Sequence, residues 1–83
     1  MLELLKKKER VVGIKQTKKA IEQDKLETVI FAEDADKRVI EPLKQLCEGK
    51  NIKIQTTESM KQLGKAAGIE VSAAVVGILK NSN

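Results

Sequence analysis

The segment that most limits the possible folds is residues 26–32, Leu-Glu-Thr-Val-Ile-Phe-Ala, which ends in an unbroken apolar, β-prone run. Such a run is typical of a strand that is covered on both faces. Segments with helical periodicity separate it from the other candidate strands, so neighbouring strands can run parallel with helices on both sides of the sheet. The sequence therefore predicts an α/β fold, a three-layer α/β/α sandwich with a small four-stranded mixed sheet.

The other elements follow from periodicity and from end signals. Helices are expected to begin near residues 2, 14, 36 and 59, and strands are expected at residues 11–12, 52–56 and 72–79. Ser59 and Gln62 form a capping box, and Gly68 ends the helix that this box begins. Gly49 is expected to follow the last residue of the preceding helix. Pro42 lies inside that helix, where it must kink the helix or start a fresh turn.

Composition excludes several classes of function. The chain has 83 residues, enough for one domain over 1–83, and it contains no His, no Trp, no Tyr, a single Phe31 and a single Cys47. Lack of His and of a second Cys argues against catalysis near neutrality, a metal site or a disulfide. Cys47 fits a core position, and helix capping explains the carboxylates of Glu33, Asp34 and Asp36. We therefore predict no enzyme, metal or cofactor.

Charge and targeting signals point to a partner and a compartment. The 16 basic and 12 acidic residues give a net charge of +4, with excesses of +4 over residues 1–25 and +2 over residues 59–83. A basic excess at both ends favours a polyanionic partner if the ends converge on one face. The alternative is an ordinary solvated surface, which is the better interpretation for Lys6, Lys7 and Lys8 taken alone. We expect a cytoplasmic protein, because a single Cys fits a reducing compartment and no signal peptide or membrane span is visible. We also expect a monomer, because nothing in the sequence suggests an obligate interface.

The segment from Gly13 to Ala20 is the first candidate site. If a helix begins near Ile14, then Lys15, Gln16 and Lys19 share one outward face. Cations near a helix N-terminus are unfavourable unless an anion such as a phosphate binds there. Lysine and glutamine side chains also suit base edges. An ordinary solvated helix face is the alternative, and this segment alone does not decide between them.

The segment from Gly64 to Val71 is the second candidate. Gly68 ends a helix there, so Ile69 and Val71 lie in a loop where apolar side chains need a partner. They either pack down as core at the edge of the strand or form an exposed aliphatic shelf against a splayed base.

With these two segments the sequence resembles the L-seven-Ae / L-thirty-e family of ribosomal and ribonucleoprotein proteins, most closely its short bacterial YbxF-type members. The resemblance runs over residues 11–79. It is carried by Gly-Ile-Lys-Gln-Thr-Lys-Lys-Ala at 13–20, Phe-Ala-Glu-Asp-Ala-Asp at 31–36 and Glu-Ser-Met-Lys-Gln-Leu-Gly-Lys-Ala-Ala-Gly-Ile-Glu-Val at 58–71.

The resemblance implies binding of kink-turns, which are bent RNA elements with tandem sheared G·A pairs and one extruded nucleotide. By position, Lys15, Gln16 and Lys19 would contact the G·A pairs, while Gly13 and Ile14 would bring backbone close to the RNA. The residues implied around the extruded nucleotide are Asp36 and Ile40, Lys61 or Lys65 on phosphate, and Ile69, Glu70 and Val71 as a covering loop.

Two departures accompany this resemblance. Archaeal and eukaryotic relatives usually carry Asn-Glu at the place of Lys15 and Gln16, whereas the short bacterial relatives carry Lys-Gln as this chain does. Many relatives carry Pro at the place of Lys37.

The implied partner is ribosomal RNA or a structured leader RNA. The rival hypothesis is a protein-interaction or assembly module on the same fold, with only nonspecific RNA affinity.

Overall fold

The computed structural model describes residues 10–80. Its elements are, in chain order, β1 (Arg10–Val12), α1 (Ile14–Glu22), β2 (Leu26–Ala32), α2 (Lys37–Gly49), β3 (Lys53–Thr57), α3 (Met60–Ala66) and β4 (Val75–Leu79). The helix expected near residue 2 lies outside the described residues. Across residues 10–80, no helix is long and apolar enough to cross a membrane.

The four strands form one mixed sheet in the order β1-β4-β2-β3. β4 runs antiparallel to both β1 and β2, and β2 runs parallel to β3. β1, β2 and β3 therefore all point the same way, and their carboxyl ends lie at one edge of the sheet beside the amino end of β4. This arrangement confirms the predicted α/β fold with a mixed four-stranded sheet.

The core forms where the helices cover β2. Phe31 is 1% exposed and its neighbours Val29, Ile30 and Ala32 are buried as well, as the continuous apolar run predicts. Each helix presents an apolar face to this sheet, formed by Ala20 and Ile21 of α1, by Ile40, Leu43 and Cys47 of α2, and by Leu63 of α3.

Cys47 is a core residue, as expected. Its side chain is fully buried, and desolvation raises the pKa of the thiol to about 11. A neutral thiol in an apolar setting is a poor nucleophile.

All three described helices end in a Schellman motif, in which the two amides after the helix bond back to its last turn. The left-handed residue is Asp24 after α1, Asn51 after α2 and Gly68 after α3, with φ of 57°, 58° and 82°. The expectation for Gly49 was therefore wrong. Gly49 is the last residue of α2, and Asn51 takes the left-handed position because asparagine tolerates it well.

Two further expectations need adjustment. β4 begins at Val75 rather than at residue 72, because the Ala73 N–H donates to the Met60 carbonyl and is held by α3 instead of by a strand. α2 continues as one helix through Pro42 and starts at Lys37, so Pro42 does not begin a fresh helix.

Candidate nucleic-acid interface

The segments that carry the candidate site residues begin or end at the edge of the sheet where β1, β2 and β3 end and β4 begins. Residues 13–19 follow β1, residues 33–40 follow β2, Lys61 and Lys65 belong to the helix after β3, and residues 69–71 precede β4. Segments that follow parallel strands meet at a common edge. The topology thus explains how distant parts of the sequence come to share one end of the molecule.

Backbone hydrogen bonds fix these segments to one another. The Gly13 N–H donates to the Val75 carbonyl at 3.0 Å, and the Ala32 N–H donates to the Ala74 carbonyl at 3.0 Å. Ala73 in turn donates to the Met60 carbonyl at 3.0 Å. The loop between α3 and β4 is therefore bonded to the end of β2 and to the start of α3, and Val75, the first residue of β4, is bonded to the residue that precedes α1.

Asp34 adds a side-chain link between the turn after β2 and α3. Its Oδ1 accepts the Met60 N–H at 2.8 Å, while the Ser59 hydroxyl accepts the Gln62 N–H at 3.1 Å. The predicted cap at Ser59 is thus present, and Asp34 accepts a hydrogen bond from a second amide in the first turn of α3.

The start of α1 is open to an anion. Gly13 precedes the helix with φ 99° and ψ 162°, makes no side-chain cap, and the first turn of α1 contains no acidic residue. Lys15, Gln16 and Lys19 are exposed. Gln16 and Lys19 lie farther along α1, where they border a shallow depression of about 260 Å³ that reaches the opposite edge of the sheet. Its other lining residues are Val11, Ala20, Gln23, Lys25 before β2 and Leu79 at the end of β4.

Thr17 lies on the opposite face of α1, toward the core. It is fully buried, and its hydroxyl has no hydrogen-bond partner. The exposed and buried faces of α1 are therefore cleanly separated, which supports the predicted common face of Lys15, Gln16 and Lys19.

Asp36 is the N-cap of α2. Its carboxylate accepts the Arg38 N–H at 2.9 Å and pairs with the Arg38 guanidinium at 3.2 Å. These two contacts with Arg38, the side-chain one first, lower the pKa of Asp36. Asp36 is ionised and engaged in capping, and half of its side chain is still exposed.

Ile40 offers little surface to a ligand. It is 5% exposed and packs in the core. It borders a depression of about 410 Å³ beside α2, together with Phe31, Lys37, Glu41 and Lys44. The Lys44 ammonium lies 5.7 Å from the centre of the Phe31 ring. Contact between Ile40 and an extruded nucleotide stays a prediction.

The second candidate segment forms a shared depression. Lys61, Lys65, Ile69, Glu70, Val71 and Ser72 line a hollow of about 660 Å³ between α3 and the following loop. Ile69 is half-buried against the core, whereas Val71 is 70% exposed. Each of the two alternatives for this loop thus applies to one of its residues, because Ile69 packs against the core and Val71 is exposed.

Gly64 allows the loop after α3 to lie close against that helix. A Cβ at position 64 would overlap the Val71 carbonyl and lie 3.2 Å from the Cα of Ser72. The loop therefore lies directly on the backbone of α3, and only a glycine at position 64 allows the Val71 carbonyl to approach so closely.

The contact between Arg10 and Ala67 is the main feature of this region that the sequence did not predict. Its Nε donates to the Ala67 carbonyl at 2.6 Å, across 57 positions of sequence. No periodicity or local motif signals such a contact. The sequence also suggested that Asp34, like Asp36, caps the helix that follows it, whereas Asp34 accepts the Met60 N–H at the start of α3.

Comparison with known proteins gives a consistent result. A family model described as the Ribosomal protein L7Ae/L30e/S12e/Gadd45 family matches residues 1–83. An RNA-binding protein of Halalkalibacterium halodurans is 46% identical over 70 residues, which cover 84% of this chain and 85% of that protein. The RNA-binding protein YbxF of Geobacillus stearothermophilus is 43% identical over 70 residues, with the same coverage.

Among solved structures, the Giardia lamblia 15.5kD RNA binding protein has a TM-score of 0.88 and 29% identity, over 98% of this chain and 72% of that one. These relatives are named as RNA-binding proteins and not as enzymes, in agreement with the prediction that the chain is no enzyme. The likeness to short bacterial members is confirmed, and the chain belongs to the Ribosomal protein L7Ae/L30e/S12e/Gadd45 family.

Proposed function

We propose that this protein binds RNA and stabilises kink-turns, the bent elements with tandem sheared G·A pairs and one extruded nucleotide. The observation that carries the proposal is the convergence of the open start of α1, the two lysines of α3 and the exposed Val71 at one edge of the sheet. Family membership and the names of the relatives support it.

The α1 face is proposed to read the G·A pairs. Lys15, Gln16 and Lys19 are exposed on one side of a helix whose first amides have no side-chain cap. A phosphate near these amides would be attracted by both the helix dipole and the lysines. Lysine can donate to guanine O6 and N7, and the glutamine amide can both donate and accept at a base edge.

The hollow between α3 and its loop is proposed to hold the extruded nucleotide. Lys61 and Lys65 would neutralise its phosphates, and Val71 would pack against the base. Ile69, half-buried against the core, would anchor the loop, and Glu70 would be a polar group at the rim. Asp36 and Ile40 are proposed to complete the site from the side of α2.

The mechanism is binding alone. A kink-turn samples bent and extended forms, and a protein that contacts both arms of the bent form shifts the population toward it. We propose a cytoplasmic, monomeric, single-domain protein whose partner is ribosomal RNA or a structured leader RNA.

The decisive experiment compares two RNA duplexes. One carries a kink-turn, and the other is identical except that its G·A pairs are replaced by Watson–Crick pairs. We expect much tighter binding of the kink-turn duplex. We also expect this duplex to bend on binding, which is measured as increased fluorescence energy transfer between the two RNA ends. Equal affinity for both duplexes would reject kink-turn recognition.

Salt dependence supplies a second measurement. Each phosphate contact by a lysine releases counterions, so the logarithm of the binding constant should fall linearly with the logarithm of the salt concentration. Equal binding of the two duplexes with a steep salt slope would identify nonspecific basic adhesion, the property expected of the rival assembly module.

A further inference from the structure

We propose that Arg10 is a positioning residue that holds the loop after α3 in its binding conformation, an inference that rests on the proposed function. Arg10 lies in β1 and donates from Nε to the carbonyl of Ala67, the C-cap residue of α3, at 2.6 Å. Ala67 is followed at once by Gly68 and by the loop residues 69–71.

The Ala67 carbonyl is a natural acceptor for this contact. In the Schellman motif of α3, the Ile69 N–H bonds to the Gly64 carbonyl at 3.0 Å and the Gly68 N–H bonds to the Lys65 carbonyl at 3.1 Å. The motif leaves the Ala67 carbonyl free to accept from elsewhere. A guanidinium there also places a positive charge at the negative end of the helix dipole.

Gly68 is shaped to the same guanidinium. Arg10 Nη2 lies 2.9 Å from the position that a Cβ of residue 68 would occupy. The equivalent left-handed positions after the other two helices are Asp24 and Asn51, which carry side chains. Within residues 10–80, the left-handed position after a helix is therefore a glycine only after α3, where the Arg10 guanidinium lies against the backbone.

Arg10 thereby joins the two halves of the proposed RNA surface. β1 runs directly into Gly13 and α1, which carry one half, and the loop after α3 carries the other. β1 is an edge strand of the described sheet and pairs with β4. The Arg10 contact bonds β1 to the end of α3 from which the loop starts, so that the loop is held in position relative to the start of α1.

The first test needs no RNA. Amide hydrogen exchange is measured on the full chain with Arg10→Met, and with Lys53→Met as a control that removes one charge from the opposite edge strand. We expect the Gly68 and Ile69 amides to exchange at least about fivefold faster in Arg10→Met, while the amides of β2 and the control are unchanged. Unchanged exchange at Gly68 and Ile69 would overturn the inference.

The second test is a double-mutant cycle on kink-turn affinity. Arg10→Met should weaken binding about fivefold or more in the wild-type and Lys19→Ala backgrounds, and much less in the Val71→Ala background, because Arg10 acts through the loop. Arg10→Lys, which keeps one donor, should recover part of the loss. Additive losses with Val71→Ala would overturn the inference.

The salt dependence separates positioning from direct contact. A positioning residue leaves the salt slope of binding unchanged, whereas loss of a phosphate contact makes it shallower by about one unit. A shallower slope for Arg10→Met would overturn the inference in favour of a direct contact. If wild type does not discriminate between the two duplexes, the proposed function fails. If wild type discriminates while exchange at Gly68 and Ile69 is unchanged, only the role of Arg10 fails.

Discussion

The carbonyl of Val71 rests on the backbone of Gly64, so closely that a single methyl group at position 64 would overlap it. Because the neighbouring atoms are backbone, they cannot rotate aside as a side chain would. The loop that carries Ile69 and Val71 can therefore occupy this position only because residue 64 of α3 has no side chain.

Gly64→Ala tests this contact. We expect the free energy of unfolding to fall by about 1–3 kcal/mol, as for an overpacked core, because either α3 or the loop must move. Urea denaturation measures the stability, and kink-turn affinity should fall as well, since displacement of the loop opens the hollow around Val71.

Gly49→Ala is the matched control for that substitution. Gly49 is the last residue of α2, its φ is not positive, and nothing lies within 4 Å of a Cβ built on it. Alanine there should raise the free energy of unfolding by about 0.5 kcal/mol through the lower entropy of the unfolded chain, with RNA affinity unchanged. Destabilisation by both substitutions would show that the Gly64 effect is not due to the Val71 contact.

The exposed face of α1 yields a prediction for RNA affinity. Gln16→Ala and Lys19→Ala should each weaken kink-turn binding by about 1–3 kcal/mol, the value of a good base-edge contact. Both side chains are exposed, so the melting temperature should not change. Lys18→Ala removes the same charge from the same helix and should retain discrimination between the kink-turn and its Watson–Crick control. Wild-type affinity in both Gln16→Ala and Lys19→Ala would show that this face is not the binding face.

Val71 and Val39 provide an internal comparison of exposed apolar side chains. They are 70% and 39% exposed, on the loop after α3 and on α2 respectively. Val71→Ala should weaken RNA binding by about 1 kcal/mol, through loss of apolar surface buried against the base. Val39→Ala should leave binding unchanged. An equal effect of the two substitutions, measured by titration calorimetry, would speak against a shelf at Val71.

Cys47 leads to a prediction about alkaline pH. Burial raises the pKa of its thiol from an ordinary value of 9.0 to about 11, so the folded protein keeps a proton that the unfolded chain loses. The resulting stabilisation is complete below pH 9 and disappears as the pH rises through about 11. The free energy of unfolding should therefore fall more steeply between these pH values in wild type than in Cys47→Ala. Parallel pH curves for the two proteins would contradict this assignment.

Local patterns were sufficient to predict most of the elements. The run at residues 26–32 indicated a strand covered on both faces, and the apolar spacing of α2 placed Leu43 and Cys47 in the core. These predictions succeeded because burial of one face leaves a periodic trace in the sequence. The resemblance to a family then assigned site residues by position, which periodicity alone could not do.

Features that depend on packing between distant segments left no such trace. Arg10 meets Ala67 across 57 positions, and Asp34 bonds to the start of α3 rather than to the helix that follows it. The start of β4 was placed too early, since nothing local reveals that Ala73 is held by Met60. Asn51, not Gly49, takes the left-handed position, because the choice depends on where the helix ends.

The place of β4 in the sheet has a consequence for biosynthesis. β4 is made after the other three strands, yet it lies between β1 and β2. A nascent chain that has emerged only as far as α3 lacks the strand to which β1 bonds, and it also lacks the carbonyls that hold Gly13 and Ala32. Since these long-range pairings form late, a growing chain carries the lysines of α1 but not the surface that arranges them. The proposed recognition of kink-turns must therefore wait until β4 has emerged and paired with β1 and β2.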